Sequence, residues 1–400
     1  MEDMNTADIV VMARELCERF RDDLLNASRD IHSAPEIRFE EYKASGLLCE
    51  LLRKHGFEVE EGLATMPTAF RGIKRFGVGG PTVVVFSEYD ALPGIGHACG
   101  HNVIATAGLG AGLIAAALLE HDQDSNGTLI VLGSPGEEGG GGKVKLIDAG
   151  ELAQVDAAVM IHPAGYDAVS RENLGRIALE ISFEGKASHA ASAPDQGLNA
   201  LDAATLFLVA IGLLRQQVRS SSRLHAIVLD GGEAVNVIPE SSRLRVFVRS
   251  PDNTYLYERL LPAVEACAKG AAIATGTVAT LEEVAPAYAS LRTNSVVAEV
   301  AREAFTALGR APKDEASENS SAGSTDMGNV SRVVPSIHPY INIGTGIAGH
   351  TREFERAAGG PEGESAVLDG ATILATTVVV LMKDADLLER AKAEFAAMAD

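Results

Sequence analysis

The sequence predicts an α/β protein in two parts: a mixed, largely parallel sheet covered by helices, and an α+β domain inserted into it. Three observations predict this. Four short apolar runs, "PTVVVFSEYD" (81–90), "TLIVLGSPGEE" (128–138), "VDAAVMIHPA" (155–164) and "YINIGTGIAGH" (340–350), are continuous rather than alternating, as in strands buried on both faces. Helical patterns separate or flank them, and each run ends in Gly, Pro or polar residues. From about residue 175 to 286 the pattern becomes β-α-β-β-α-β with half-polar strands, the order of an open-faced, ferredoxin-like sandwich. At 400 residues the chain exceeds the ~250–300 at which one core stops growing. The expected domains are therefore 1–174 with 287–400, and 175–286 inserted.

Taken in order, apolar residues recur at helical spacing from Thr6 to Gly56, with a break at "HSAPEIRFEE" where Pro35 cannot continue a helix. The first buried strand at 81–90 is followed by a small-residue helix from about Asn102 to His121. The second strand leads through "GGGG" (139–142) to further helix. In the insert, "RIALEISFEG", "RLHAIVLDGG", "SRLRVFVRS" and "TVATLEEV" read as strands, and "GLNALDAATLFLVAIGLLRQQV" and "YLYERLLPAVEACAKGAAIA" as helices. After Pro286, "NSVVAEVAREAFTALG" and "GESAVLDGATILATTVVVLM" return to helix.

Composition narrows the function classes. Lys plus Arg number 34 against 55 Asp plus Glu, and a net charge of -21 repels phosphate backbones and anionic membranes, so nucleic acid is not an expected partner. The apolar run at 107–119 is too short and too rich in small residues for a membrane span. The acidic, amphipathic N-terminus lacks the basic and apolar regions of a secretory signal, and the expected location is cytoplasmic. Cys17, Cys49, Cys99 and Cys267 have no framework spacing, so a disulfide scaffold is not expected.

Ligands gather at the carboxyl ends of strands in open α/β sheets, and every suspicious polar cluster falls there. Asp90 follows the first run, Cys99 and His101 come shortly after, Glu137 and Glu138 follow the second, His162 the third and His350 the fourth. Imidazole, thiolate and carboxylate together suit a borderline-soft divalent ion. Alone, His162 or His350 reads as an ordinary loop residue, and an adjacent Glu pair as a solvated face. Their coincidence at four strand ends favours the metal. "GEEGGGGKV" fails as a phosphate loop, because its spacing is wrong, Val144 replaces Ser or Thr, and two carboxylates would repel phosphate. "GTGIAG" (344–349) fits a dinucleotide fingerprint but lies too near the C-terminus for the unit that must follow. No G-x-S-x-G, H-E-x-x-H or C-x-x-C occurs at these positions, which argues against a serine elbow, a zincin helix and a redox pair.

In this order, "SEYDALPGIGHACGHN", "GSPGEEGGGGK", "MIHP", "GKASHAASAPDQGLNALDA", "GGEAVNVIPE", "GSTDMGNVS" and "HTREF" resemble the amidohydrolase branch, subfamily D of peptidase family M20, of the di-metal aminoacylase and carboxypeptidase superfamily. The resemblance runs from about Ser33 to the C-terminus and is strongest to the group of p-aminobenzoyl-glutamate hydrolase subunits and aminoacylase-1-like dipeptidases. Asn102 stands where many of the wider subfamily have Asp. The resemblance implies that Cys99, His101, Glu138, His162 and His350 bind two divalent ions, zinc first with Mn, Co or Ni as alternatives, Cys99 replacing a bridging carboxylate. It implies Glu137 as general base, Asp90 as the support of a ligand, and His189 and Asn236 as holders of the scissile carbonyl and substrate carboxylate. Arg249 and His225 are further substrate contacts, while His97 is expected to support its loop and His32, His55, His121 and His338 to be structural.

The implied activity is metal-assisted hydrolysis of an N-acyl amino acid, a dipeptide or a p-aminobenzoyl-glutamate-like amide. The insert becomes a lid and dimerisation domain hinged near Gly175 and Pro286, with His189 able to act across a homodimer. The alternative is a non-catalytic relative that only holds a peptide-like ligand.

Overall fold

The computed structural model describes residues 5–122, 124–313 and 323–398. These fall into two units, the first comprising the described residues up to Glu172, from Arg292 to 313, and from Asp326 onward, and the second comprising Asn173–Leu291 with Gly323–Thr325. The first four residues of the acidic N-terminus lie outside the described residues.

The first unit opens with α1 (Thr6–Ser33) and α2 (Tyr42–Lys54), separated around Pro35, and continues through β1 (Glu58–Glu61), β2 (Phe70–Phe76), β3 (Thr82–Ser87), α3 (His101–Glu120), β4 (Gly127–Gly133), the short turns α4 (Glu137–Gly140) and α5 (Gly142–Asp148), β5 (Ala157–Val159) and β6 (His162–Ala164). The second unit carries β7 (Gly175–Glu184), α6 (Ala200–Leu214), β8 (Arg223–Asp230), β9 (Ser241–Ser250), α7 (Asn253–Tyr255), α8 (Leu261–Thr275) and β10 (Val278–Tyr288). The chain then returns to the first with α9 (Ser295–Ala307), α10 (Met327–Val330), β11 (Ser336–Ile337), β12 (Tyr340–Asn342), α11 (Arg352–Ala358), α12 (Pro361–Lys383) and α13 (Ala385–Ala397).

The main sheet has the order β1-β2-β4-β3-β5-β11. β3 pairs in parallel with β4 and β5, and β5 with β11, while β1 and β2 form an antiparallel edge. Its central strand, "TVVVFS", is buried on both faces, as a continuous apolar run requires. The fourth run departs from the expected single sheet. Its strand β12 pairs with β6 in a separate two-stranded parallel ribbon, bringing Tyr340 opposite His162. The 155–164 run accordingly splits, β5 staying in the main sheet and β6 leaving it.

The small-residue helix α3 is almost wholly buried because neighbours approach it on every side. A methyl at Gly108 would meet the Phe86 carbonyl oxygen at 2.5 Å, and one at Gly112 would meet Val131 at 2.2 Å. Such overpacking of a close-packed core costs about 1–3 kcal/mol, so glycine is what seats this helix on the sheet. α3 and α12 are long and apolar enough to cross a membrane by composition, yet both are mostly buried within the unit.

In the second unit the sheet order is β10-β7-β9-β8 and every pairing is antiparallel. β9 alternates in burial with period two. Its Leu244, Val246 and Val248 join Ile177, Ile181 and Phe183 of β7 against Phe207 and Ile211 of α6 and Val264 of α8.

Candidate metal centre

The parallel strands end together, and the polar side chains follow from that. After β3, Glu88 and Asp90 lie two residues apart in extended chain and so face the same side. Both reach His101: Asp90 Oδ1 is 3.0 Å from Nδ1, and Glu88 Oε1 is 3.1 Å from Nε2. Tyr89, between them, points the other way, donating to the Thr68 carbonyl at 2.6 Å and stacking on Phe70. The chain then turns through Gly94, Gly96 and Gly100, all left-handed. At Gly100, with φ of 75°, a Cβ would also strike Pro163 at 2.5 Å, so only glycine can deliver His101 to the start of α3.

Cys99 Sγ is 3.5 Å from His162 Nε2, and the His162 Nδ1 donates to the Pro163 carbonyl at 2.6 Å, which leaves Nε2 as the lone-pair nitrogen. His350, itself left-handed at φ 62°, donates its backbone N–H to the Ala98 carbonyl and places Nε2 3.2 Å from Glu138 Oε1. Asp90 accepts from His101 with one oxygen and from the Glu138 backbone N–H with the other, at 2.9 Å, so it positions two donors at once. Three overlapping groups, Cys99–His101–His162, Cys99–Glu138–His350 and Glu88–His101–Glu137, each bring their donor atoms within 4.8 Å of one another.

The donor set fits metal ions by a specific observation. Glu88 Oε1, His101 Nε2 and Glu138 Oε1 are buried and make no hydrogen bond, although each has a neighbour within about 3 Å. Atoms that converge without bonding one another are arranged for something between them, and buried polar atoms are otherwise almost always paired. Burial holds Cys99 as a thiol well above the usual range and pushes His162 down to about 3, so imidazole is neutral there. His101 goes the other way: burial would lower it, but Glu88, Cys99 and Asp90 raise it well above an ordinary histidine. Glu137 is raised well above the usual carboxylate range by burial and by Glu88, Glu138 and Asp326. Against Glu138's burial, which would raise it, His350 and His101 hold its carboxyl low.

Several participants escape the sequence reading. Lys143 is fully buried and pairs with Glu88 and, at 2.8 Å, with Asp326, whose other oxygen accepts the Lys143 backbone N–H at 2.9 Å. The loop before α2 clamps the Glu137–Glu138 turn. Arg38 donates to the Glu138 carbonyl at 2.8 Å, and Phe39, at φ 64°, lies so close that a Cβ at Gly136 or Gly140 would come within 2.7 Å or 2.6 Å of its ring. Buried Glu41 accepts from the backbone N–H groups of Phe39 and Gly136 with one oxygen and from the Thr68 hydroxyl with the other. Glu88 had a signal in "SEYD", because residues i and i+2 share a face. Lys143 was visible only as a failed phosphate loop, and Glu41 had none.

None of the remaining predicted residues belongs to these three donor groups. His97 is buried and donates toward the Ile31 carbonyl at 3.1 Å, His32 lies against the Glu355 carbonyl at 2.9 Å, and His55 pairs with Asp23 at 2.9 Å. His121 caps the end of α3 in solvent. In the second unit His189 is exposed and accepts from the N–H groups of Ala191 and Ser192 at 3.2 Å. A bridge from His189 to Val237 sets it beside exposed Asn236. Arg249 lies on β9 between Arg176 and Arg223, over the Phe247 ring, and His225 is exposed on β8.

The family pattern described as "Peptidase family M20/M25/M40" matches residues 84–379. The chain is similar to a mouse (Mus musculus) protein named Xaa-Arg dipeptidase, 38% identical over 409 residues that cover 98% of this chain and 94% of that one. It is 34% identical to a p-aminobenzoyl-glutamate hydrolase subunit of Escherichia coli over 289 residues, 65% of this chain and 59% of that one. The fold is similar to the crystal structure of an aminobenzoyl-glutamate utilization protein from Klebsiella pneumoniae, with a TM-score of 0.72, 19% identity, and coverage of 92% and 98% of the two chains.

Burial, with Asp90 nearby, raises the Glu41 carboxyl from 4.5 to about 7, so the folded chain binds that proton more tightly than the unfolded chain and stability falls as pH rises through this window. Glu41→Gln keeps a carbonyl acceptor for the two N–H groups and removes the titration. In chelator-treated protein its melting temperature, measured against the wild type, should rise by a few degrees between about pH 5 and 8. A difference that stays flat across that range contradicts the assignment.

Proposed function

The chain belongs to peptidase family M20/M25/M40, and from that premise we propose that it hydrolyses an amide bond next to a free carboxylate, in a dipeptide, an N-acyl amino acid or a p-aminobenzoyl-glutamate-like substrate. The observation that carries this reading is the convergence of buried, unbonded Glu88, His101 and Glu138 donor atoms beside Glu137. The full set of presumed ligands together with Glu137 favours an enzyme over a binding protein.

Cys99, His101, Glu138, His162 and His350 would hold two divalent cations, with zinc suited to a site that offers thiolate and imidazole together. Bound there, such ions would supply Lewis acidity toward a carbonyl and lower the pKa of water. The chain's own groups do the rest. Asp90 keeps the His101 ring in register and fixes the backbone at Glu138. Glu137, buried and one residue before a ligand, takes the proton from water at its carboxylate and passes it to the leaving amine. His189 and Asn236, with Arg249 and His225, contact substrate, and dipeptides ending in arginine head the expected substrates because the mouse relative is named for them and a net charge of -21 attracts cations.

Two copies pair through the second unit. β8 is an edge strand whose Ile227 is 61% exposed, and α6 exposes Val209 and, at 59%, Leu213, an apolar surface that a monomer would leave wet. His189 would then serve the site of the partner subunit.

Glu137→Gln should retain the metal content of the wild type while turnover on a responsive dipeptide falls by about two to four orders of magnitude. Near-normal turnover removes Glu137 as the base, and a metal-loaded wild type inactive across dipeptides, N-acyl amino acids and p-aminobenzoyl-glutamate removes the reading itself. By sedimentation the wild type should have twice the chain mass and Leu213→Glu the mass of one chain; a monomeric wild type at micromolar concentration ends the pairing proposal.

A further inference from the structure

Beside the presumed ligands, the first unit holds polar atoms that its own fold leaves unsatisfied. His338, 1% exposed, makes no hydrogen bond at Nδ1 or Nε2. Its ring centroid is 5.5 Å from that of His162 and 5.0 Å from that of Tyr340. Tyr166 lies 6.0 Å from Tyr340, ring to ring, and its buried hydroxyl makes no well-aligned hydrogen bond, with the Arg171 guanidinium close enough to act on it. Arg171 spans both tyrosines, its guanidinium carbon 5.5 Å and 5.6 Å from their centroids, and its Nε is buried and unpartnered.

Among the described residues no carboxylate pairs with Arg171. The acid nearest in sequence on the core side, Asp167, is already taken by Arg310 at 3.0 Å and by the Asn342 N–H at 2.8 Å. Among the described residues this half-buried guanidinium therefore has no anion, and it lies over Tyr340, whose ring neighbours that of His162. Arg171 and Tyr166 offer N–H and O–H donors, and a neutral imidazole offers one more through either nitrogen of His338. Donors of this kind, with a guanidinium held near two aromatic rings, match the planar, two-oxygen face of a carboxylate.

We propose that Arg171, Tyr166 and His338 form a carboxylate subsite beside His162, built by the first unit from its own residues. Its occupant is the free carboxylate of the substrate, an assignment that rests on the amide-hydrolase reading. The binding itself does not. The subsite selects for acids over the corresponding amides or esters.

The test is titration of the full-length protein with benzoate and with neutral, isosteric benzamide, in metal-loaded and chelator-treated forms, followed by NMR. Arg171→Met should weaken benzoate by about tenfold or more in both forms and leave benzamide within about twofold, since only the charged ligand uses the fork. Tyr166→Phe should weaken benzoate several-fold, and Arg171→Lys, which keeps charge but loses the planar fork, should fall between wild type and methionine and serves if the methionine variant does not fold. Benzoate affinity unchanged by all three substitutions, or no benzoate binding by the wild type, overturns the subsite and leaves ordered water as the partner of these atoms. Arg171-dependent benzoate binding in a protein that hydrolyses no amide keeps the subsite and removes only its assignment to a substrate.

Discussion

Uncompensated negative charge is the constraint on which the rest of this structure depends. Glu88, Asp90, Glu137, Glu138 and Asp326 are gathered in or against one buried cluster, where fully buried Lys143 pairs with Glu88 and Asp326. Isolated ionised carboxylates are too costly to bury and must be paired, protonated or bound to metal. Five carboxylates against one buried lysine leave an excess of negative charge that divalent cations would offset. The upward shifts at Glu137 and Glu88, both driven first by burial, express the same deficit from the proton's side. Cations bound there would couple to the folding of this unit, because the donor atoms assemble only in the folded chain.

The architecture meets that constraint with rigid parts. Parallel strands deliver Glu88, Asp90, Glu137, Glu138 and His162 to one edge, and glycines at the turns allow the close approaches that side chains would block. Asp90, Lys143 and Glu41 then each tie segments distant in sequence: Asp90 joins the starts of α3 and α4, Lys143 joins the end of β3 to Asp326, and Glu41 joins the loop before α2 to Gly136. Phe39, packed against the Glu137–Glu138 turn, and His350 hold left-handed backbone without being glycine, a local strain that the surrounding contacts must sustain.

How much of this was legible in the sequence follows from what each residue type can do. Cys99, His101, Glu138, His162 and His350 stood out because metal-binding side chains at the ends of buried runs have few structural explanations, and the structure gathers them around the three overlapping donor groups. The ferredoxin-like order of the insert was readable from period-two alternation, which β9 keeps. The antiparallel edge "FRGIKRF" of β2 was not, since four of its seven residues are charged or glycine and its pairing with β4 is set by a strand more than fifty residues away. Nor was the departure of β6 and β12 into their own ribbon, which periodicity cannot distinguish from continuation of the main sheet. Lys143, Asp326 and Arg171 were hidden for a common reason: a charged side chain in sequence reads as surface, and only the fold reveals that its partners, or the absence of a partner, are buried.

The central claim is that the charge deficit is made good by two divalent cations on which hydrolysis depends. Elemental analysis of the purified chain, alongside amide hydrolysis before and after chelation, tests it most directly. The account predicts two divalent ions per chain, loss of both ions and of activity on chelation, and recovery of both with zinc. Undiminished hydrolysis by a chain stripped of metal, or saturation at a single ion with full activity, would contradict it.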